Sequence, residues 1–355
     1  MKALRALGLL LVAWVTGFGA NEVRLKPDEK IVFYPTVAER IPGQNAWRCE
    51  VRGWVCEPEG RGLWTVALRE TLHFKNVEMT PAEEEVFNER ARLFLVDHER
   101  GKKVFVRFGL KSVAVGKSKA DGTFSGFVQL TDDEVRGSPL ISFEAALPLG
   151  ESRAFRGEAF ALEETGLSVI SDIDDTIKIT EVRDRNATLR NTFLREFQPV
   201  PGMAEFYQRL ARPNHAQFHY VSASPWQLYE PLAELVDACG FPPGTFTLKE
   251  FRWKSRSFLS FVANPEKYKS GVIEPLFKKF PKRRFILIGD SGERDPEVYA
   301  ALARKFPQQV ERIWIRDVTG EAGEADRYAQ AFRDVPRERW QIFREPTELR
   351  FTTIP

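Results

Sequence analysis

The chain of 355 residues holds only three cysteines, four histidines and three methionines, and its net formal charge is +2. None of the cysteines forms a CxxC pair, and Cys49, Cys56 and Cys239 lie near no histidine at zinc-ligand spacing, which excludes the common zinc modules. His73, His98, His215 and His219 then read as surface or packing residues. With basic and acidic residues interspersed and so small a net charge, there is no cationic stripe for general nucleic-acid binding. No repeat or low-complexity segment is present, and no GxSxG elbow surrounds Ser222 or Ser224. Long apolar runs are absent after the first twenty residues.

Those first residues, MKALRALGLLLVAWVTGFGA, place Lys2 and Arg5 ahead of the apolar run Leu7 to Val15, followed by Gly17, Gly19 and Ala20. The run is short for a bilayer span and ends in a small-x-small pattern, so residues 1–20 read as a secretory signal peptide, with an uncleaved anchor as the alternative. The expected location is exported, periplasmic or secreted. An oxidising compartment permits a disulfide, and Cys49 and Cys56 are candidates to pair across a short turn.

Length favours two cores. Residues 21–165 alternate in the manner of β-strands, as in Leu63 to Leu68, Lys103 to Phe108 and Thr123 to Leu130, with a turn at Asp121-Gly122. Thr80-Pro81-Ala82-Glu83 announces one helix through a capping box, and its Val86, Phe87, Ala91 and Phe94 are expected to pack on the sheet. An antiparallel, sandwich-like β domain is predicted. Residues 166–355 change rhythm to short apolar strands alternating with helices, an α/β pattern with a parallel sheet. The strands are Leu167 to Ser171, Gln217 to Val221, Arg284 to Ile288 and Arg312 to Ile315, and each ends in a polar cluster. Ligands of open α/β sheets bind outside the carboxyl ends of the strands, so these clusters should converge.

The first cluster, Asp172-Ile173-Asp174-Asp175-Thr176, and the later Gly289-Asp290-Ser291-Gly292-Glu293-Arg294-Asp295 crowd carboxylates that repel one another unless a cation sits among them. A hard divalent ion, magnesium (Mg2+), with carboxylates, waters and phosphate oxygens as ligands is the economical answer. An aspartate beside such an ion is a candidate phosphoryl acceptor. On an extended segment Asp172 and Asp174 point to the same side, whereas Asp175 points away into a structural role.

DIDDT at 172–176 matches the DxDx(T/V) signature of the haloacid dehalogenase superfamily. Together with DIDDTIKIT, YVSASPWQLY at 220–229 and GDSGERDPEVY at 289–299, the chain resembles the phosphatidate phosphatase catalytic domain of the actin-patch-protein type, distantly lipin-like, over about residues 166–320. The resemblance implies a haloacid dehalogenase-like Rossmannoid parallel sheet. It also implies Asp172 as nucleophile, Asp174 as general acid and base, and Thr176 ordering the turn beside the substrate. Ser222, with Ser224 as the near alternative, would hold phosphate oxygens, and Lys269, in competition with Lys267, would face the phosphate. Asp290 and Asp295 would serve the metal, directly or through water, with Asp172 and the Asp174 carbonyl completing the set and Glu293 able to replace Asp295. The implied activity is Mg2+-dependent hydrolysis of phosphatidate to diacylglycerol through an aspartyl-phosphate. A soluble phosphomonoester substrate and a non-catalytic phosphate- or lipid-binding protein are the alternatives.

Two stretches bear on specificity. Lys178 to Pro199 is long enough for a flap over the site. Lys249 to Lys254 (KEFRWK) with Arg256 interleaves basic and aromatic residues, suited either to a lipid phosphate at a membrane surface or to a solvated edge.

Overall fold

The computed structural model describes residues 21–58, 62–135, 137–250, 265–321, 323 and 325–350. The candidate signal peptide at 1–20, and Phe251, Arg252, Trp253, Lys254 and Arg256 of the basic and aromatic stretch, lie outside the described residues.

Nine strands make the first sheet: β1 (Lys30–Tyr34), β2 (Thr36–Arg40), β3 (Ala46–Pro58), β4 (Val96–His98), β5 (Lys103–Phe108), β6 (Lys111–Lys117), β7 (Thr123–Thr131), β8 (Leu140–Ala145) and β9 (Arg156–Leu162). Their order is β1-β3-β2-β9-β8-β5-β6, with β4 and β7 also paired to β3. All pairs are antiparallel except β2 with β9. The sheet curls until β6 approaches β7, so closely that a Cβ on Gly126 would stand 2.1 Å from the Val115 carbonyl oxygen. Strand β3 carries both Cys49 and Cys56 on one 13-residue extended run, and both are free. At roughly 3.3 Å per residue they are about 23 Å apart, which rules out the disulfide considered from sequence.

Two further expectations change here. Leu63 to Leu68, read as a strand, lies in the helix Gly62–Thr71. Leu68 and, one residue past the helix end, Leu72 are buried, and Arg69 fixes the end by donating to the Phe74 and Val77 carbonyls and to Glu84. The helix Pro81–Phe94 has the predicted capping box: Thr80 Oγ1 accepts from the Glu83 N–H, and the Glu83 carboxylate accepts from the Thr80 N–H. Its apolar face, however, does not cover the β-sheet. Phe87, Ala91 and Phe94 join the core beneath the second sheet, with Phe94 5.5 Å from Phe193 between ring centroids and Arg90 over the Phe197 ring. At about 1.5–3 kcal/mol for each large apolar side chain buried, this helical pair contributes substantially to a core built mainly from residues after 166.

The second sheet is parallel: β10 (Leu167–Ser171), β11 (Gln217–Pro225), β12 (Gly244–Lys249), β13 (Arg284–Asp290), β14 (Val310–Arg316) and β15 (Trp340–Phe343). All five residues of β10 are buried, as expected of a strand covered on both faces. The order β12-β11-β10-β13-β14-β15 reverses direction beside β10. A crevice therefore opens beyond the carboxyl ends of β10 and β13, where ligands of such sheets bind. The mixed α/β architecture with a parallel sheet is the one read from sequence. β12 and β15 are additional strands at its edges.

Candidate active site

The site begins where β10 and β13 end side by side. Ser171 pairs with Ile288, and the Asp172 N–H donates to the Ile288 carbonyl at 2.8 Å, which holds the backbone extended one residue beyond the strand. The Asp172 side chain is enclosed at this point. Its Oδ1 lies 2.7 Å from Lys269 Nζ, and its Oδ2 accepts from Thr176 Oγ1 at 3.2 Å. Lys269 comes from the helix Pro265–Lys279 and is itself buried, whereas Lys267 is exposed, so geometry selects between the two lysines. The Lys269 ammonium also meets Glu293 at 3.0 Å and Asp295 at 2.5 Å.

Asp290, at the end of β13, turns Oδ1 back onto the N–H groups of Gly292 and Glu293. Its Oδ2 is buried without a hydrogen-bond partner among the described residues. Asp295 opens the helix Asp295–Lys305, and its Oδ2 accepts from the Asp290 N–H at 3.3 Å. Gly289 is required for this contact, since a Cβ there would stand 2.2 Å from Asp295 Oδ2. Among the described residues, Asp172, Asp290 and Asp295 can each present an oxygen within 4.8 Å of the others.

Three carboxylates, of Asp172, Glu293 and Asp295, thus share one ammonium, with Asp290 as a fourth beside them. Burial raises Asp172 well above the usual carboxylate range, opposed by Lys269 and reinforced by Asp295 and Asp290. Burial and then Asp295 do the same to Asp290. Burial acts to lower Lys269, but Asp172, Asp295 and Glu293 outweigh it and hold the amine charged. An unpartnered buried carboxylate oxygen amid surplus negative charge is a donor set that fits a hard divalent cation.

Asp174 sits apart from this cluster and partly faces solvent. Lys178 Nζ lies 2.9 Å from its Oδ1, Thr180 Oγ1 donates to the same oxygen at 2.8 Å, and Ser222 and Ser224 donate to Oδ2 at 2.8 and 2.9 Å. Burial alone would raise this carboxyl, but Lys178 and the hydroxyl donors outweigh it and hold it well below its usual range. Ser222 and Ser224 are therefore brought to the site as predicted, with their hydroxyls turned onto Asp174. Asp175 points elsewhere: at φ 55° its carboxylate caps the N–H groups of Thr180, Glu181 and Val182 at 2.7–2.8 Å.

Sequence reasoning missed Lys178 and Thr180 as partners of Asp174. Both belong to the stretch DIDDTIKIT, and the signal was the four-residue step from Asp174 to Lys178, overlooked because Lys178 was read as the start of a flap. Lys178 is instead buried and bridges Asp174 to Pro199, closing the base of the segment Lys178 to Pro199.

Residues 167–317 match the family described as phosphatidate phosphatase APP1, catalytic domain. This stretch is therefore similar to that family's catalytic domain, as its motifs implied. Phosphatidate phosphatase APP1 of Saccharomyces cerevisiae is 34% identical over 251 residues, which cover 66% of this chain and 41% of that protein. An uncharacterised Schizosaccharomyces pombe protein is 31% identical over 170 residues, 47% of this chain and 27% of its own. The chain thus spans less than half the length of these curated relatives. A solved structure described as a β-phosphoglucomutase from Thermotoga maritima aligns at a TM-score of 0.30 and 12% identity, covering 51% of this chain and 95% of that one. So slight a likeness leaves the fold to be argued from strand order.

Proposed function

We propose that the protein is a magnesium-dependent phosphatase of the haloacid dehalogenase type that hydrolyses phosphatidate to diacylglycerol through an aspartyl-phosphate. The observation that carries this reading is the enclosure of Asp172 against Lys269, with Asp290 and Asp295 beside it and Asp174 held separately by four donors. The family match over the same residues supports the reaction class and the lipid phosphate as substrate.

Asp172 attacks phosphorus, forming a carboxylate O–P bond as the bond to the leaving alkoxide breaks. Asp174, a carboxylate in the free protein, takes up a proton from solvent as the negative charge of an arriving phosphate raises its proton affinity, and passes that proton to the alkoxide. In the second half Asp174 takes a proton from water as the water oxygen bonds to phosphorus and the Asp172 O–P bond breaks. Lys269 fixes the attacking oxygen and offsets charge, while Ser222, Ser224 and Thr180 keep Asp174 in one orientation. Asp172, Asp290 and Asp295 would hold magnesium, which when bound neutralises the phosphate and carboxylate charge.

The test is phosphate release from dioctanoyl phosphatidate and from an aryl phosphate, in magnesium or EDTA, for wild type and Asp172→Asn. Magnesium-dependent release that falls by at least about 10³-fold in the variant is expected. Release that persists in Asp172→Asn would sink the nucleophile assignment, and none from wild type would sink the enzyme.

A further inference from the structure

Between the two sheets, outside the site, lies a cavity of about 100 Å³. Its walls come from distant parts of the chain: Tyr34 and Arg52 from β1 and β3, Phe124 from β7, Trp226 from the turn after β11, and Phe246 and Leu248 from β12. Three polar hydrogens on this wall, at the Tyr34 hydroxyl, Arg52 Nε and Trp226 Nε1, are buried without a partner among the described residues. An unmade hydrogen bond at a buried donor costs on the order of 1–3 kcal/mol, and native interiors rarely gather several in one place. One terminal nitrogen of Arg52 donates to the Phe246 carbonyl at 3.0 Å and fixes the guanidinium at this wall. All three unpartnered groups are donors, so the missing occupant brings acceptors.

Charge and size narrow the occupant. Arg52 and Lys119 against Glu250 leave the lining one net positive charge, which suits acceptor oxygens and does not by itself call for a second phosphate. The stacked Tyr34 and Trp226 rings, with Phe124, Phe246 and Leu248, favour an apolar body instead. An apolar cavity of about 150 Å³ takes one benzene ring. This smaller one has room for an ester group and a few methylenes, with a longer chain leading outward.

The cavity is wired to the phosphate site through two short pieces of chain. Trp226 follows by two residues Ser224, which donates to Asp174 at 2.9 Å. Tyr268 precedes Lys269, which reaches Asp172. The Tyr268 hydroxyl is another buried donor without a partner among the described residues. Burial pushes its pKa up, and the charges of Arg52, Glu250 and Lys269 act on it.

We propose that this cavity is the subsite for the acyl-ester portion of a diacyl phosphomonoester, with Tyr34, Arg52 and Trp226 donating to ester oxygens while the phosphate lies at Asp172. The β-rich part of the chain thereby sets substrate specificity. This inference rests on the phosphatase reading for its substrate and deepens it.

The decisive variant is Tyr34→Phe, which removes one oxygen that has no hydrogen-bond partner among the described residues; Arg52→Gln is the second. The readout is the ratio of kcat/KM for dioctanoyl phosphatidate to that for an aryl phosphate. We expect the ratio to fall about tenfold in each variant, the scale of a lost polar contact that a site was built to make. A Tyr34→Phe ratio within about twofold of wild type, with an unchanged melting temperature, overturns the subsite and leaves a hydrated gap. Should wild type release phosphate from neither compound, the phosphatase reading fails while calorimetric titration with dioctanoyl phosphatidate still decides the subsite. Binding about tenfold weaker in Tyr34→Phe upholds it, and equal binding or none overturns it.

Discussion

Lys269 places its ammonium 2.7 Å from Asp172, tying the helix Pro265–Lys279 to the residue that ends the central strand. Both side chains are almost wholly enclosed, at 1% and 2% exposure, so the pair is an electrostatic keystone rather than a surface contact. Lys269→Met strands Asp172, Glu293 and Asp295 without their shared cation. Removing one partner of a buried pair costs about 3–5 kcal/mol, and we expect the urea midpoint to fall accordingly and to recover in part with millimolar magnesium. An unchanged midpoint would show that the carboxylates are neutral in the resting protein.

Asp174 carries a sharper pH signature. Its folded pKa is depressed below the ordinary 3.8, so the stability it contributes is complete above that value and is lost as pH falls through the folded one. Without the Lys178 ammonium the depression shrinks, so in Lys178→Met the loss on acidification still begins near 3.8 but is smaller, and complete at higher pH, than in wild type. Denaturation midpoints between about pH 2 and 5 measure this. Superimposable pH curves would remove Lys178 from the account of Asp174.

Asp290 offers a direct test of the cation. Binding to the native state alone raises stability by mass action, so magnesium should raise the wild-type melting temperature. In Asp290→Asn the increase should vanish, while the metal-free protein melts no lower, because a buried carboxylate with a raised pKa has gone. Gly289→Ala should also abolish the increase, since its Cβ displaces Asp295 although no ligand atom is lost. An undiminished magnesium effect in both variants would place the cation elsewhere.

His219 supplies a second pH dependence, remote from the chemistry. Its ring nitrogens meet Thr245 Oγ1 at 2.8 Å and Ser168 Oγ at 3.2 Å inside the parallel sheet, and burial pushes its pKa down to about 3 from 6.5. The unfolded chain therefore binds one more proton between those limits, and stability falls as pH drops through them at about 1.4 kcal/mol per unit. His219→Gln should flatten the slope of stability against pH by that amount between pH 6 and 4.5. An identical slope would mean that the ring protonates in place.

How much of this was legible in the chain follows from which physical signals are local. The strands β10, β11, β13 and β14 announced themselves as short apolar runs because both faces of a parallel sheet are covered. GTFTLK and WQIF did not, being short edge strands with part-exposed residues. The helix Gly62–Thr71 was misread because LWTVAL suits either period when taken alone, and only packing against the second core decides. Likewise the motif residues Asp172, Asp174, Asp290 and Asp295 could be gathered from their strand ends, whereas the choice of Lys269 over Lys267 rests on burial that the structure provides. The cavity of Tyr34, Arg52, Trp226 and Phe246 left no trace in sequence, since its lining joins residues as much as 216 positions apart, Tyr34 to Glu250.

The helix Pro81–Phe94 has a wider consequence. Its Phe87, Ala91 and Phe94 are donated by the β-rich half to the core of the other half, so the boundary between the sheets is not a boundary in stability. Arg283 adds to this from the opposite side, donating to the Glu163 and Thr165 carbonyls in the connection between β9 and β10. Heat absorbed in loosening either sheet is then heat absorbed by both, and calorimetry should record one cooperative transition whose enthalpy belongs to the whole chain.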